Sequence, residues 1–168
     1  MLSKTRNLSW LLIAGLVFIA DQGSKLLVSA CLDANQQLIV LPNLNFVLAH
    51  NHGAAFGFLS TAAGWQRWFF IAIAVIVSIV IVAWIKKLKA SSKLEVLGLA
   101  LILGGALGNL LDRIMYGHVV DFIDFYVKHW HWYTFNIADI AICVGAGLLL
   151  LVQVAPSDTQ SDKYHPSR

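Results

Sequence analysis

A chain of 168 residues that is 58% hydrophobic and only 12% charged, with a mean hydropathy of +0.72, is too apolar for a soluble domain of this size. The composition points to an integral membrane protein, and neither it nor the formal charge of +3 implies a nucleic-acid partner. A span needs roughly 20 apolar residues, and four stretches qualify, at about 8–30, 67–85, 94–115 and 136–155. The expected fold class is therefore all-α integral membrane, four transmembrane helices in a single domain over residues 1–155, with a polar tail at 156–168 expected to be disordered.

Lys4 and Arg6 precede the first span, where Val28-Ser29-Ala30-Cys31 imitates a lipoprotein processing box. Asp21 and Lys25 interrupt the apolar run that a cleaved signal peptide would need, so a retained first span is expected. Asp21, Ser24 and Lys25 share a helical face, which predicts an ion pair turned towards the bundle. Residues 36–48 are β-favouring around a Pro42-Asn43 turn signal, and two or three short strands outside the membrane are expected. His50-Asn51-His52-Gly53-Ala54-Ala55-Phe56-Gly57 then sets small residues beside polar ones. Trp65-Gln66-Arg67-Trp68 leads into a second span that is apolar all round and carries no chemistry.

Lys86, Lys87, Lys89 and Lys93 fill the link to the third span, and Lys163 and Arg168 lie in the tail. With an even number of spans these segments and the N-terminus share one side, which the positive-inside rule makes cytoplasmic. The links at about 31–66 and 116–135 then face outward, with Trp65, Trp68, Trp130, Trp132, Tyr116, Tyr126 and Tyr133 at the boundary. In the third span Gly104 and Gly108 have the spacing that lets membrane helices approach closely. Its outer end carries Asn109, Asp112 and Arg113, which either cap and anchor the helix or belong to a site. Val119-Val120-Asp121-Phe122 follows. The fourth span opens with Asn136, Asp139 and Cys143 at i, i+3 and i+7, read as one inward stripe. Cys143 is thereby taken as buried and Cys31 as a boundary residue, which argues against a disulfide framework. The His-x-His pairs, His50 with His52 and His129 with His131, are read as solvated rather than ligating.

Asp21, Lys25, Asn109, Asp112, Arg113, Asp121 and Asp139 thus converge near the outer boundary. Two carboxylates close together in a poorly polarisable medium split their pKa values and share a proton, so one serves as base and the other as acid. Such a pair can activate water against an amide carbonyl without metal or covalent intermediate. Asn109, Asn136 and Arg113 are candidate donors to the developing oxyanion. His-Glu-x-x-His, Gly-x-Ser-x-Gly and a phosphate loop are all missing from the sequence. A small transporter or ion-conducting protein is the rival reading, although such a protein would spread polar residues through the membrane's depth.

The five blocks Asp21-Gln22-Gly23-Ser24-Lys25, Asn51-His52-Gly53-Ala54-Ala55-Phe56, Gly104-to-Arg113, Val119-to-Phe122 and Phe135-to-Asp139 resemble, in order, those of lipoprotein signal peptidases, also called signal peptidase II. The resemblance implies an aspartyl endopeptidase of the bacterial cytoplasmic (inner) membrane, needing no cofactor. Such enzymes cut prolipoproteins before a diacylglyceryl-modified cysteine at the outer, periplasmic face, and the antibiotic globomycin inhibits them. It places Asp121 and Asp139 as the catalytic dyad, with Asn51, Asn109, Arg113 and Asn136 around it and Asp21 and Lys25 as the polar pair of the first block. It also turns the strands at about 36–58 into a small extracytoplasmic β-cradle, and it selects Asp121 over Asp124, which is then expected to be a solvated boundary residue. His52 stands where the resemblance leads one to expect Thr, and it could tune the loop's charge at mildly acidic pH.

Overall fold

The computed structural model describes residues 9–33, 36–53, 64–88 and 92–154. Among these residues four helices are long and apolar enough to cross a membrane: α1 (Leu11–Cys31), α2 (Gln66–Lys87), α3 (Lys93–Met115) and α4 (Ile137–Val154). Between them lies one sheet of strand order β1-β2-β3-β4, formed by β1 (Gln37–Leu41), β2 (Leu44–Asn51), β3 (Val119–Val127) and β4 (Trp130–His131). Residues 54–57 of the second motif and the tail from 155 lie outside the described residues.

α3 is the central helix, because its small residues admit a neighbour on two faces. A Cβ on Gly104 would strike the Ala14 carbonyl and Val17 of α1, and one on Gly108 would strike the Asp21 carboxylate. On the other face Gly105 lies against the Ala138 carbonyl and Gly98 against Gly145 of α4. α2 packs on α3 through Ile81 and Ile85, which meet Val96, Leu99 and Leu103. With hydrocarbon on both sides of the comparison, such close van der Waals contact is what holds membrane helices together.

α4 buries Ala138, Ala141 and Gly145 against α3. Cys143 therefore points away and is exposed, as is Cys31, which corrects the inward stripe expected through Cys143. The small residues that permit backbone contact set the buried face.

β1 and β2 are joined at Pro42-Asn43, where Pro presets its φ and Asn43 adopts a φ of 68°. Residues 116–135 hold more than the link expected, since β3 is the strand shared between β2 and β4. Gly117, at φ 81°, ends α3 by donating its N–H to the Arg113 carbonyl, and β3 starts two residues later. A register shift in β2 between Phe46 and Ala49 brings Ala49 opposite Asp121 and Asn51 opposite Val119. The Ile123–Phe135 bridge then ties the chain just before α4 to the same strand. Asp121 and the first turn of α4 are brought together by backbone pairing.

The tight α3–α4 contact is testable by substitution. Gly105→Val is expected to destabilise the bundle by about 1–3 kcal/mol. Gly147→Val, at a position with nothing within 4 Å of a built Cβ, is expected to leave the thermal unfolding midpoint in detergent within a degree or so of the wild type.

Candidate active site

Asn136 is the N-cap of α4 and Asp139 its third residue. The Asp139 N–H donates to Asn136 Oδ1 at 3.0 Å, and the Asn136 N–H donates to Asp139 Oδ2 at 3.2 Å. This reciprocal pair is a capping box, with Asn and Asp in place of the usual Ser/Thr and Glu. It leaves the Asn136 amide hydrogens free to point outward from the helix. Nδ2 donates to Asp121 Oδ1 at 2.7 Å, and also lies within reach of the Asn109 side-chain oxygen (3.2 Å) and the Val120 carbonyl (3.3 Å). A single residue therefore holds both carboxylates, that of Asp121 through its side-chain amide and that of Asp139 through its backbone N–H.

Each acid has a second donor. Asn51 Nδ2 reaches Asp121 Oδ2 at 3.0 Å, and Asn109 Nδ2 reaches Asp139 Oδ1 at 2.9 Å. The amide groups of Asn109 and Asn136, candidate oxyanion donors in the sequence, are thus committed to the acids. Arg113 is held by the Asn109 carbonyl at 3.2 Å, the Gly53 carbonyl at 2.9 Å and the Phe70 ring at 5.1 Å. It joins α3 to the segment that carries Asn51.

Behind the two acids lies a buried charge cluster. Lys25 is 3% exposed, and its three ammonium protons meet Asp21 Oδ2 at 2.8 Å, Asp112 Oδ2 at 2.8 Å and Asn109 Oδ1 at 2.9 Å. Because Lys25 takes the Asn109 oxygen, the Asn109 amide nitrogen must face Asp139. The second oxygen of Asp21 accepts the Ala138 N–H at 2.9 Å, satisfying an orphan donor in the first turn of α4. Asp112 accepts the Val120 N–H at 3.1 Å and so grips the strand one residue before Asp121. The expected ion pair of Asp21 and Lys25 is present, but it is one edge of a network that reaches three helices and a strand.

Two neighbours differ from expectation or went unread. Gln22, not singled out in the sequence, donates to Asp112 at 2.8 Å and to the Gly108 carbonyl at 3.1 Å. Its signal was an amide inside an apolar span beside Asp21. Asp124, expected to be solvated, is buried in β3, where Asn45 donates to it at 3.2 Å and His131 lies at 2.9 Å. Of the other histidines, His50 and His52 gather around His118, with ring centroids 4.2 and 5.2 Å from it. Among the described residues no three His, Cys, Asp or Glu side chains form a metal-ligand set.

Burial, followed by the charge of Asp139, raises the Asp121 pKa from 3.8 to about 7, against the opposing pull of Asn51, Asn136 and Lys25. Asp121 and Asp139 therefore lie close enough for the charge of one to resist ionisation of the other. A carboxyl that holds a proton near neutrality, beside a second carboxyl with its own fixed donors, has the parts needed for acid–base work on a bound water.

The arrangement has counterparts. The family model described as signal peptidase (SPase) II matches residues 13–155. The chain belongs to the signal peptidase II family. Curated relatives named lipoprotein signal peptidase include one from Alteromonas mediterranea, 49% identical over 96% of this chain and 89% of that protein. Another, from Shigella boydii, is 49% identical over 90% of this chain and 92% of its own. A third, from Photorhabdus laumondii, is 47% identical over 94% of each. A solved bacterial membrane enzyme superposes with a TM-score of 0.81 at 30% identity, covering 94% of both chains. A second does so with a TM-score of 0.77 at 32% identity, over 89% of this chain and 94% of that one. The four apolar helices and small antiparallel sheet are thus shared with solved relatives, and membership of the signal peptidase II family makes the chain a protease.

The raised Asp121 pKa carries a stability signature. Folded Asp121 holds its proton more tightly than unfolded Asp121, so between about pH 4 and about pH 7 the native state binds more protons and its stability falls as pH rises, levelling off above. Asp121→Asn removes this dependence. The unfolding midpoint of the variant relative to wild type is expected to be higher at about pH 8 than at about pH 4, and an equal difference at both would contradict the assignment.

Proposed function

We propose that the chain is an aspartic endopeptidase that removes the signal peptide from diacylglyceryl-modified prolipoproteins, cleaving before the lipidated cysteine. The observation that carries this reading is the single residue Asn136, whose side-chain amide holds the Asp121 carboxylate and whose backbone N–H holds that of Asp139. One acid takes a proton from water as the water attacks the scissile carbonyl, and the other protonates the departing nitrogen. Asn51 and Asn109 keep each carboxylate in register, while Lys25, Asp21 and Asp112 hold the strand and the helix that present them. No cofactor takes part.

On this reading the bundle is a multi-pass protein of the bacterial inner membrane. Lys86 and Lys87, at the end of α2 remote from the polar site, support a cytoplasmic position for that end and for both termini. The sheet and the two acids then stand at the periplasmic face, with exposed Trp65, Trp68, Trp130 and Trp132 at the boundary. A lipidated substrate keeps its acyl chains in the bilayer, so membrane lipid supplies much of the binding and the dyad need only position the amide. Globomycin, as an inhibitor of the family, is expected to occupy this same site. Among the described residues the buried ionisable side chains gather at one end of the bundle, not along its depth, which disfavours the transport reading.

Asp121→Asn and Asp139→Asn are each expected to lower cleavage of a diacylated prolipoprotein by on the order of a thousandfold or more while the protein remains folded in the membrane. A chelator is expected to leave the wild-type rate unchanged. Cleavage at the normal rate by either variant, or a chelator-induced loss restored by zinc, would remove this mechanism.

A further inference from the structure

On the flank of the bundle, α1 and α2 both lean on α3 and leave between them an open apolar cleft of about 880 Å³. Its walls include Gly15 and Phe18 of α1, Ile79 and Val82 of α2, and Leu107 and Leu111 of α3. Ser78, the one hydroxyl in the lining, donates to the Ala74 carbonyl at 2.7 Å, so the wall offers a ligand no free hydroxyl. Along α3 the lining continues through Leu110 to Ile114, on the same helical turns as Asn109, Asp112 and Arg113. The upper end of the cleft thus lies at the depth of the candidate active site, on a neighbouring face of α3.

We propose that this cleft seats the hydrophobic helix of the substrate's signal peptide. The inference rests on the peptidase reading and adds where the uncleaved half of the substrate lies. Depth decides between the two apolar parts of such a substrate. α1 and α3 run side by side in the same direction, with Ala14 and Val17 against Gly104 and Asp21 against Gly108, and Lys25 lies level with the polar site. From Lys25 the α1 wall of the cleft spans Phe18 down to Leu11, about 7 to 14 residues, or about 10–21 Å at 1.5 Å per residue. The apolar run of a signal peptide, about 7–15 residues, makes a helix of about 10–22 Å. It would start just below the scissile bond and end beside Lys86, at the lower mouth. Acyl chains attached at the level of the dyad would fill about one leaflet, roughly 15 Å, and would stop short of that mouth.

Gly15 supplies the test, because a Cβ built there meets nothing within 4 Å. Gly15→Phe fills the cleft without displacing the protein. Gly147→Phe, equally unobstructed but on α4, is the control. Reconstituted full-length protein is assayed on a diacylated prolipoprotein with its entire signal peptide and on a diacylated peptide that lacks the hydrophobic run. Gly15→Phe is expected to raise KM for the entire substrate by on the order of tenfold, with no corresponding rise for the short one, and Gly147→Phe is expected to match wild type on both. In an Asp121→Asn background a photoreactive residue at Ile79 is expected to cross-link to the signal peptide. Unchanged KM together with an absent cross-link overturns the assignment, as does an equal KM rise on both substrates, which would place acyl chains in the cleft. Wild-type protein that cleaves neither substrate is a separate result, one that removes the peptidase reading itself.

Discussion

The Asn136–Asp139 capping box is the contact on which the arrangement of the site depends. A helix N-terminus has orphan N–H groups that something must satisfy, and here the satisfying side chains are an amide and a carboxylate. Because Asn136 accepts from the helix through Oδ1, its Nδ2 must point the other way, onto Asp121. The start of α4 therefore aims two acids from distant points of the chain at one place. Replacing Asn136 by Ser would retain a cap but lose the second arm.

The cluster behind the acids follows from the cost of burying charge. Lys25, Asp21 and Asp112 are each no more than 3% exposed, and such charges are tolerated only when every donor and acceptor is met. The three Lys25 protons have three acceptors, and the α4 N-terminus gives Asp21 a further donor in Ala138 N–H. Backbone proximity makes this possible. The glycines of α3 let α1 and α4 come close enough for Asp21 to lie across Gly108 and reach the first turn of α4. Any side chain at position 108 would push the acid off both partners.

Much of this was legible in the sequence, because charged and amide residues inside apolar runs announce themselves. The four spans, the Gly104–Gly108 row, the Asp21–Lys25 pair and the gathering of Asp121 with Asp139 could all be read from spacing or from motif resemblance. β3 could not. Its residues 119–124 are buried on both faces, so the alternation that marks a half-exposed strand is missing. Asp124 was misjudged for the same reason, since its burial follows from a sheet that local pattern did not reveal. Cys143 failed differently: helical period placed it with Asn136 and Asp139, but Ala138, Ala141 and Gly145 decide which face meets α3. The direction of the Asn109 amide was not legible, because it depends on where Lys25 binds.

The central claim is that two carboxyls hold one proton between them near neutral pH, with Asp121 the main carrier. Infrared spectroscopy of the membrane-embedded protein measures this directly through the carbonyl stretch of a protonated carboxyl. At about pH 6, below the raised Asp121 value of about 7, a protonated-carboxyl band that disappears in Asp121→Asn is the predicted result. A spectrum without such a band, or a band unchanged in that variant, would contradict the account.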